Sequence, residues 1–377
     1  MKIVGIICEY NPLHAGHKKQ IDLIRAENPE GGIVCLMSGN FVQRGMPAIV
    51  DKSLRAEAAV KAGADLVLEL PVTGALSSAE GFAKTGVSIL GKFCDALCFG
   101  AENSDKDGLM AAAKALLSED FQVALREELE KGLSFPAARQ KALEAMGIDG
   151  ALVASPNNIL AVEYCKAILE QGCSMEPMPI TRGGSYHDTV AETENPSATA
   201  VRQLMLNGAP WQDFVPVDTF ENATLHSIEA GEQAILYRLR TMTDAEFEAL
   251  PYGSEGLWRK LMHASRKEAT LEDILTATKS KRYTRSRLDR MVMCAFLGIT
   301  KDMLDSPAPY TRVLAFNDKG RQILKKARQT GDFPNIGEVQ EHPYQTLEER
   351  CGSLYGLFAQ SPETPDTESR QRIFYHK

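Results

Sequence analysis

Gly5-Ile6-Ile7-Cys8-Glu9-Tyr10-Asn11-Pro12-Leu13-His14-Ala15-Gly16-His17 is the stretch that decides the fold of this chain. A short apolar, β-branched run, residues 2–8, ends at Glu9. A proline then turns the chain, and a segment of helical character, residues 14–26, opens on H-x-G-H. His14 and His17 are three apart and share one face of the first helical turn. Gly16 between them lets a ligand approach the backbone closely. The first turn of a helix carries free N–H groups and the positive end of its dipole. Two imidazoles beside that end make a cradle for polyphosphate. They suit the charge that builds on an α-phosphate as pyrophosphate leaves. Zinc is the poorer reading, because no third and fourth ligand follows at helpful spacing.

Outward from this strand–loop–helix the alternation continues. Strand signals recur at residues 32–37, 65–70, 95–99 and 176–181, and helical ones near 51–62, 78–90, 106–117, 121–131 and 158–171. This pattern predicts an α/β domain, a Rossmann-like parallel sheet with helices on both faces. Ligands then sit beyond the carboxyl ends of the strands, where the candidate motifs fall, after Cys8, Met37, Leu70, Phe99 and Ile180. After about Asn207 the periodicity is mostly helical, with no convincing strand alternation. The expected division is therefore 1–205 for the sheet domain and 206–377 for a mainly α-helical domain. Residues 361–377 are polar and proline-bearing and read as a mobile tail.

The 377 residues carry a formal charge of −8, so nucleic-acid contact requires a local basic patch. Lys279, Lys281, Arg282, Arg285, Arg287 and Arg290 supply one, opposed in sequence only by Asp289. Tyr283 is interleaved and suited to stacking on a base. Leu288, Met291, Val292 and Phe296 read as the buried stripe of the same helix. Arg321, Lys325, Lys326 and Arg328 form a second basic run. The bland reading of both is a solvated helix face. The eight cysteines contain no C-x-x-C pair and read as reduced and buried. There is no secretory signal and no apolar run near the roughly 20 residues that cross a bilayer. The expectation is a cytoplasmic protein without membrane contact.

Several segments are more specific than H-x-G-H alone. They are Glu9-Tyr10-Asn11-Pro12, Met37-Ser38-Gly39-Asn40-Phe41-Val42-Gln43-Arg44-Gly45, Asp65-Leu66-Val67-Leu68-Glu69-Leu70-Pro71 and Phe99-Gly100-Ala101-Glu102. Pro156-Asn157-Asn158-Ile159-Leu160, Tyr186-His187-Asp188 and Lys279-Ser280-Lys281-Arg282-Tyr283-Thr284 follow. Together they resemble the bacterial tRNA(Met) cytidine acetate ligase family, within the H-x-G-H nucleotidyltransferase superfamily of HUP-type fold. Two departures stand out: Ala15 where asparagine is expected, and Met46 where glutamate is expected after Arg44-Gly45.

The resemblance implies an enzyme that couples ATP, with magnesium, and acetate into acetyl-adenylate. It then acetylates the exocyclic amine of the wobble cytidine of elongator tRNA(Met). It also implies roles for particular residues. His14 and His17 are catalytic. ATP is held by the run Ile7, Cys8, Glu9, Tyr10, Asn11, Pro12, Leu13, His14, Ala15, Gly16, His17, Lys18, Lys19 and Gln20, with Gly100, Asn157 and Arg182 completing the pocket. A glycine at a strand end leaves room for a base or ribose, an asparagine amide pairs with a nucleotide edge, and an arginine forks onto phosphate. Ser38, Asn40, Ser197 and Thr199 are candidates for a phosphate or acetate pocket. Ser197 also fits a helix N-cap. Lys279, Lys281, Arg282 and Arg285 are the tRNA candidates. Lys52 and Arg55 suit phosphate or tRNA, or a solvated helix face. His187 suits proton removal from the attacking amine or a purely structural bond. A small-molecule adenylyl- or cytidylyltransferase shares H-x-G-H but leaves the helical half unexplained. A non-catalytic, nucleotide-dependent RNA binder leaves both histidines without a task.

Overall fold

The computed structural model describes residues 1–181, 196–280, 282–305, 310–329 and 343–377. The strands are β1 (Ile3–Cys8), β2 (Gly32–Ser38), β3 (Phe41–Val42), β4 (Met46–Pro47), β5 (Leu66–Leu70), β6 (Ala96–Ala101), β7 (Glu176–Thr181), β8 (Arg312–Phe316) and β9 (Phe374–Tyr375). Seven form one sheet in the order β7-β6-β1-β2-β5-β8-β9, and β3 and β4 make a separate hairpin. From β7 through β5 all pairings are parallel. Helices α1 (Ala15–Glu27), α2 (Lys52–Lys61), α3 (Val72–Ala75), α4 (Ala79–Leu90), α5 (Lys106–Leu116), α6 (Glu119–Glu130), α7 (Phe135–Ala145), α8 (Pro156–Glu170) and α9 (Ala198–Leu206) connect or flank these strands.

Period-two alternation sends successive side chains to opposite faces. Ile3, Val34, Leu36, Leu97 and Phe99 enter a core that includes Phe82, Val87 and Leu90 of α4 and Val162 of α8. Val4, Ile6, Cys35, Met37 and Cys98 enter a second core with Ile21 and Ile24 of α1 and Ala56, Ala59 and Val60 of α2. A sheet buried on both faces explains the near-continuous apolar runs.

The chain begins in the middle of this sheet. It runs outward through β2 and β5, then crosses back so that β6 lies on the other side of β1. That reversal is the switch point where such sheets open a crevice. The register states how. β1 and β2 pair over six positions, Ile3↔Gly32 to Cys8↔Met37. β1 and β6 pair only at Val4↔Ala96 and Gly5↔Leu97. Beyond them the two strands part.

The helical expectation for the second half holds with one correction. Helices α10 (Glu232–Thr241), α11 (Asp244–Glu248), α12 (Leu257–Ser265), α13 (Leu271–Thr278), α14 (Arg285–Leu297) and α15 (Lys301–Asp305) precede β8. Leu288, Met291, Val292 and Phe296 are buried in a third core, as their spacing predicts. β8, however, returns to the first half and pairs antiparallel with β5, from Leu66↔Phe316 to Glu69↔Arg312. Helix α16 (Asp318–Gln329) follows it and buries Ile323 in the core of the first half. Helices α17 (Pro343–Tyr355) and α18 (Thr367–Arg370) come next. The segment read as a mobile tail contains α18 and then β9, which pairs parallel with β8 at Ala315↔Phe374 and Phe316↔Tyr375. The sheet of 1–205 is thus finished by residues of 206–377. One glycine records how closely the halves fit: a Cβ on Gly45 (φ +76°), in the β3–β4 turn, would lie 2.4 Å from the Arg290 backbone nitrogen of α14.

Candidate nucleotide site

A cavity of about 560 Å3 opens where β1 and β6 part. Ile7, Cys8 and Glu9 reach it from β1 and its loop, His14, Gly16 and His17 from α1, and Phe99 and Gly100 from β6. Ile180 and Thr181 of β7, Asn157 of α8 and Ser197 of the α9 N-cap add the remaining walls.

The two histidines are locked by the start of the helix. His14 is the N-cap of α1, and its Nδ1 accepts from the Gly16 backbone N–H at 3.1 Å. In return His17 Nδ1 accepts from the His14 N–H at 3.3 Å, a reciprocal capping box. The rings stack with centroids 3.8 Å apart, and Tyr10 tilts against His17 at 4.9 Å. Because Nδ1 accepts in each ring, the neutral imidazole carries its proton on Nε2. Gly16 gives the His14 ring its place: a Cβ there would lie 3.1 Å from Cε1. The loop before the helix is held just as firmly. Asn11 Oδ1 accepts from the Ile49 N–H at 2.7 Å. Tyr10 takes a left-handed backbone conformation, φ +44°, that side chains rarely adopt.

A second helix start faces the same space. Ser197 caps α9, its Oγ accepting from the Ala200 N–H at 3.0 Å, as the N-cap reading predicts. Thr199 and Arg202 line the cavity. Arg202 donates to the Asn11 carbonyl at 2.6 Å and to the Thr199 hydroxyl at 3.0 Å. Glu9 accepts from the Gln43 N–H at 2.7 Å. Burial pushes the Glu9 carboxyl up from its ordinary value, against that hydrogen bond and the charges of Arg202, Arg44 and Arg55.

Glu102, which the sequence motif contains without a role, organises the α8 side. Its Oε1 accepts from Asn157 Nδ2 at 2.7 Å, and its Oε2 accepts from Ser155 Oγ and the Asn158 N–H, both at 2.8 Å. Burial presses this carboxyl upward, but the hydrogen bonds from Ser155 and Asn157 outweigh it and leave Glu102 below the usual range.

Not every predicted residue arrives here. Within 7–20, Pro12, Leu13, Ala15 and Lys18 do not line the cavity, and Lys18 pairs instead with Asp22. Ser38 and Asn40 do not line it either. Asn40 Oδ1 accepts from the Lys52 N–H at 2.9 Å, and the Ser38 carbonyl from Arg55 at 3.1 Å. Lys52 and Arg55 are no solvated face, being 2% and 0% exposed. Arg55 donates to the carbonyls of Val50, Glu9, Ser38 and Gly39. Lys52 pairs with Glu69 at 2.7 Å and with Glu368. Burial pulls its ammonium down, but Glu69 and Glu368 outweigh that and hold it above its ordinary value. Arg182, His187 and Lys281 lie outside the described residues.

The second half contributes cavity residues that the sequence did not suggest, His226, Ser227, Ile228 and Glu229. His226 Nε2 lies 3.1 Å from Glu363 Oε2, and its ring stacks on Tyr355 at 3.9 Å. Neither partner is near it in sequence, which is why no motif announced it.

The basic patch is less one-sided in space than in sequence. Arg285 is forked onto Glu272, both distances 2.8 Å, and also bonds Asp289 at 2.7 Å. Arg282 pairs with Glu255 at 2.7 Å while its side chain stays 70% exposed. Lys279 is exposed at the end of α13. Among the described residues no helix is long and apolar enough to cross a membrane, and all eight cysteines are free.

A parallel sheet that opens at its switch point onto a histidine-capped helix defines a nucleotidyltransferase-type α/β protein. The HIGH Nucleotidyl Transferase family matches residues 1–370, and the chain belongs to it. A tRNA(Met) cytidine acetate ligase of Clostridium novyi is 38% identical, over 94% of each chain. One of Clostridium acetobutylicum is 35% identical, over 92% of each. The crystal structure of Thermotoga maritima TmcAL superposes with a TM-score of 0.91 at 30% identity over the whole of both chains. The form of that protein bound with alpha-thio ATP gives 0.88.

Proposed function

We propose that this chain is an ATP-dependent tRNA(Met) cytidine acetate ligase, acting in the cytoplasm. It activates acetate as acetyl-adenylate and acetylates the N4 amine of the wobble cytidine of elongator tRNA(Met). The observation that carries the reading is the histidine pair at the parting of β1 and β6. Their rings stack at a helix N-terminus that lines a cavity large enough for a nucleotide.

Acetate is inert toward an amine because its leaving group would be oxide. Attack of a carboxylate oxygen on the α-phosphorus forms the mixed anhydride and releases pyrophosphate. The cytidine amine then attacks the acetyl carbon, AMP leaves, and the nitrogen loses one proton. No protein nucleophile is needed, so positioning and charge stabilisation account for the catalysis. His14 and His17 donate to oxygens of the phosphate under attack. The α9 N-terminus with Ser197, Thr199 and Arg202 takes the departing phosphates. The other residues of Ile7 to Gln20 that face the cavity hold the nucleoside with Gly100 and Asn157, and Arg182 forks onto phosphate. Magnesium, expected with ATP, would neutralise charge on the phosphates as pyrophosphate leaves.

Lys279, Lys281, Arg282 and Arg285 contact tRNA phosphates. Ion pairs as exposed as Arg282–Glu255 are worth about 0–1 kcal/mol and exchange readily for a phosphate. The test is transfer of labelled acetate into a bulk tRNA pool, with and without ATP, beside a His17→Ala control. Label that requires both ATP and His17 supports the ligase. ATP binding without label in tRNA points to a small-molecule nucleotidyltransferase or a non-catalytic RNA binder.

A further inference from the structure

The structure assigns to Glu9 the proton that the cytidine amine gives up as it is acetylated, a catalytic role beyond holding the nucleoside. The inference rests on reading the chain as the ligase. Glu9 follows β1 and lines the cavity, half-buried. One of its carboxylate oxygens is engaged: Oε1 accepts from the Gln43 N–H at 2.7 Å. Among the described residues nothing donates to Oε2, which leaves that oxygen as an acceptor for a ligand. The partner that holds Glu9 also leads toward the basic patch. Gln43 lies in the β3–β4 hairpin, whose Gln43, Arg44 and Met46 form one wall of the cavity. The same hairpin rests on α14: the Gln43 carbonyl accepts from Arg290 Nη1 at 3.4 Å, and Gly45 packs against the Arg290 backbone. A tRNA held at the basic start of α14 thus lies on the hairpin side of the cavity, and Glu9 is the carboxylate bonded to that hairpin.

The transfer step needs such a group. The amine attacks the acetyl carbon and an N–C bond forms. The bond between that carbon and the phosphate oxygen breaks, AMP leaves with the electron pair, and the nitrogen must lose one proton. A carboxylate accepts a hydrogen bond from the cytosine N4 amine before the attack. It takes the proton as the attack proceeds and later passes it to water. Burial raises the Glu9 carboxyl against the Gln43 hydrogen bond and the charges of Arg202, Arg44 and Arg55, and a raised carboxyl is the stronger base. The other groups at the cavity are less suited. Neutral His14 and His17 use Nδ1 in the capping box and carry their proton on Nε2. His226 is 2% exposed and engaged with Glu363 and Tyr355. Glu229 is exposed, and nothing among the described residues fixes its side chain.

Glu9→Gln is the decisive variant, because the carboxamide oxygen still accepts from the Gln43 N–H while its nitrogen takes up no proton. The two halves of the reaction are followed separately in the full chain, with tRNA present throughout. Activation is read as acetate-dependent exchange of labelled pyrophosphate into ATP. Transfer is read in a single turnover, from supplied acetyl-adenylate to tRNA. In Glu9→Gln transfer is expected to fall about 10²–10⁴-fold, while activation keeps its original rate. Equal losses in both halves would return Glu9 to holding the nucleoside or shaping the loop, and overturn the inference alone. Transfer left intact overturns it as well, and its loss in His187→Ala would then give the proton to His187. An unaltered chain without transfer overturns the ligase reading itself, whatever Glu9→Gln does to the exchange.

Discussion

At the β1, β6 and β7 ends of the sheet, polar side chains face a cavity; at the β2 and β5 ends, a few residues away, they face one another. His14, His17, Asn157 and Arg202 belong to the first region. In the second, Lys52 of α2 meets Glu69 of β5 and Glu368 of α18, and Glu368 also pairs with Arg312 of β8. Glu348 of α17 accepts from the Val72 N–H at 2.9 Å and from the Tyr310 hydroxyl. Both regions lie at carboxyl ends of strands, where an α/β sheet places its ligands. What separates them is cover. Segments from beyond residue 340 descend onto β2 and β5 and bring carboxylates that neutralise Lys52. At the cavity a segment of that kind meets His226, through Glu363 and Tyr355, while His14, His17, Asn157 and Arg202 line the space. Position at a strand end is therefore not enough to make a residue functional; it must also be left facing a space.

The largest effect that tests this contrast is on stability. Lys52→Ala leaves Glu69 buried without its Lys52 partner and Glu368 with Arg312 alone, and is expected to cost about 3–5 kcal/mol in urea unfolding, with ATP affinity unchanged in the protein that remains folded. Loss of ATP binding without loss of stability would move Lys52 into the first region. His17→Ala should do the reverse. Acetyl transfer is expected to fall about 10²–10³-fold, while unfolding changes by no more than about 1 kcal/mol. Comparable losses in both measurements would erase the distinction.

A smaller effect separates the regions by pH. Burial, then the charge of Glu69, pushes the Glu348 carboxyl up to about 7. A carboxyl with a raised folded pKa binds its proton more tightly in the native state. Its contribution is fully present below the ordinary carboxylate range and is lost as pH rises through 7. Stability should therefore drop by about 1 kcal/mol between pH 6 and pH 8. Glu348→Gln should flatten that slope and leave the pH profile of ATP binding as it was. The smallest effect is expected from Arg282→Glu. It should weaken tRNA binding and lower the salt dependence by about one phosphate contact or slightly more, with ATP binding intact.

The first region was legible because its decisive residues are contiguous. A strand, a proline turn and H-x-G-H within Gly5–His17 specify both a helix start and the groups gathered there. The Ser197 cap and the apolar stripe of α14 are equally local. The second region was illegible because each partner comes from elsewhere. Nothing between Asp51 and Lys61 announces that Glu368 neutralises Lys52, or that Arg55 will satisfy four backbone carbonyls rather than a phosphate. β8 was missed for a related reason. Arg312–Phe316 is a five-residue strand whose apolar run, Val313 to Phe316, is only four residues long and ambiguous by periodicity, and its partner β5 is far away in sequence. Glu102 was inside a quoted motif, yet its meaning depends on where α8 begins.

The antiparallel pairing of β5 with β8 also bears on how this protein comes off the ribosome. Leu66 finds its partner Phe316 only about 250 residues later. At about 5–20 residues per second, translation leaves the β5 margin bare for roughly ten seconds to a minute. An uncovered strand margin is a template for pairing with another chain. Once α9 has been made, the nascent protein holds most of the cavity walls beside an unprotected edge, so its vulnerability to aggregation should peak between the synthesis of α9 and that of β8.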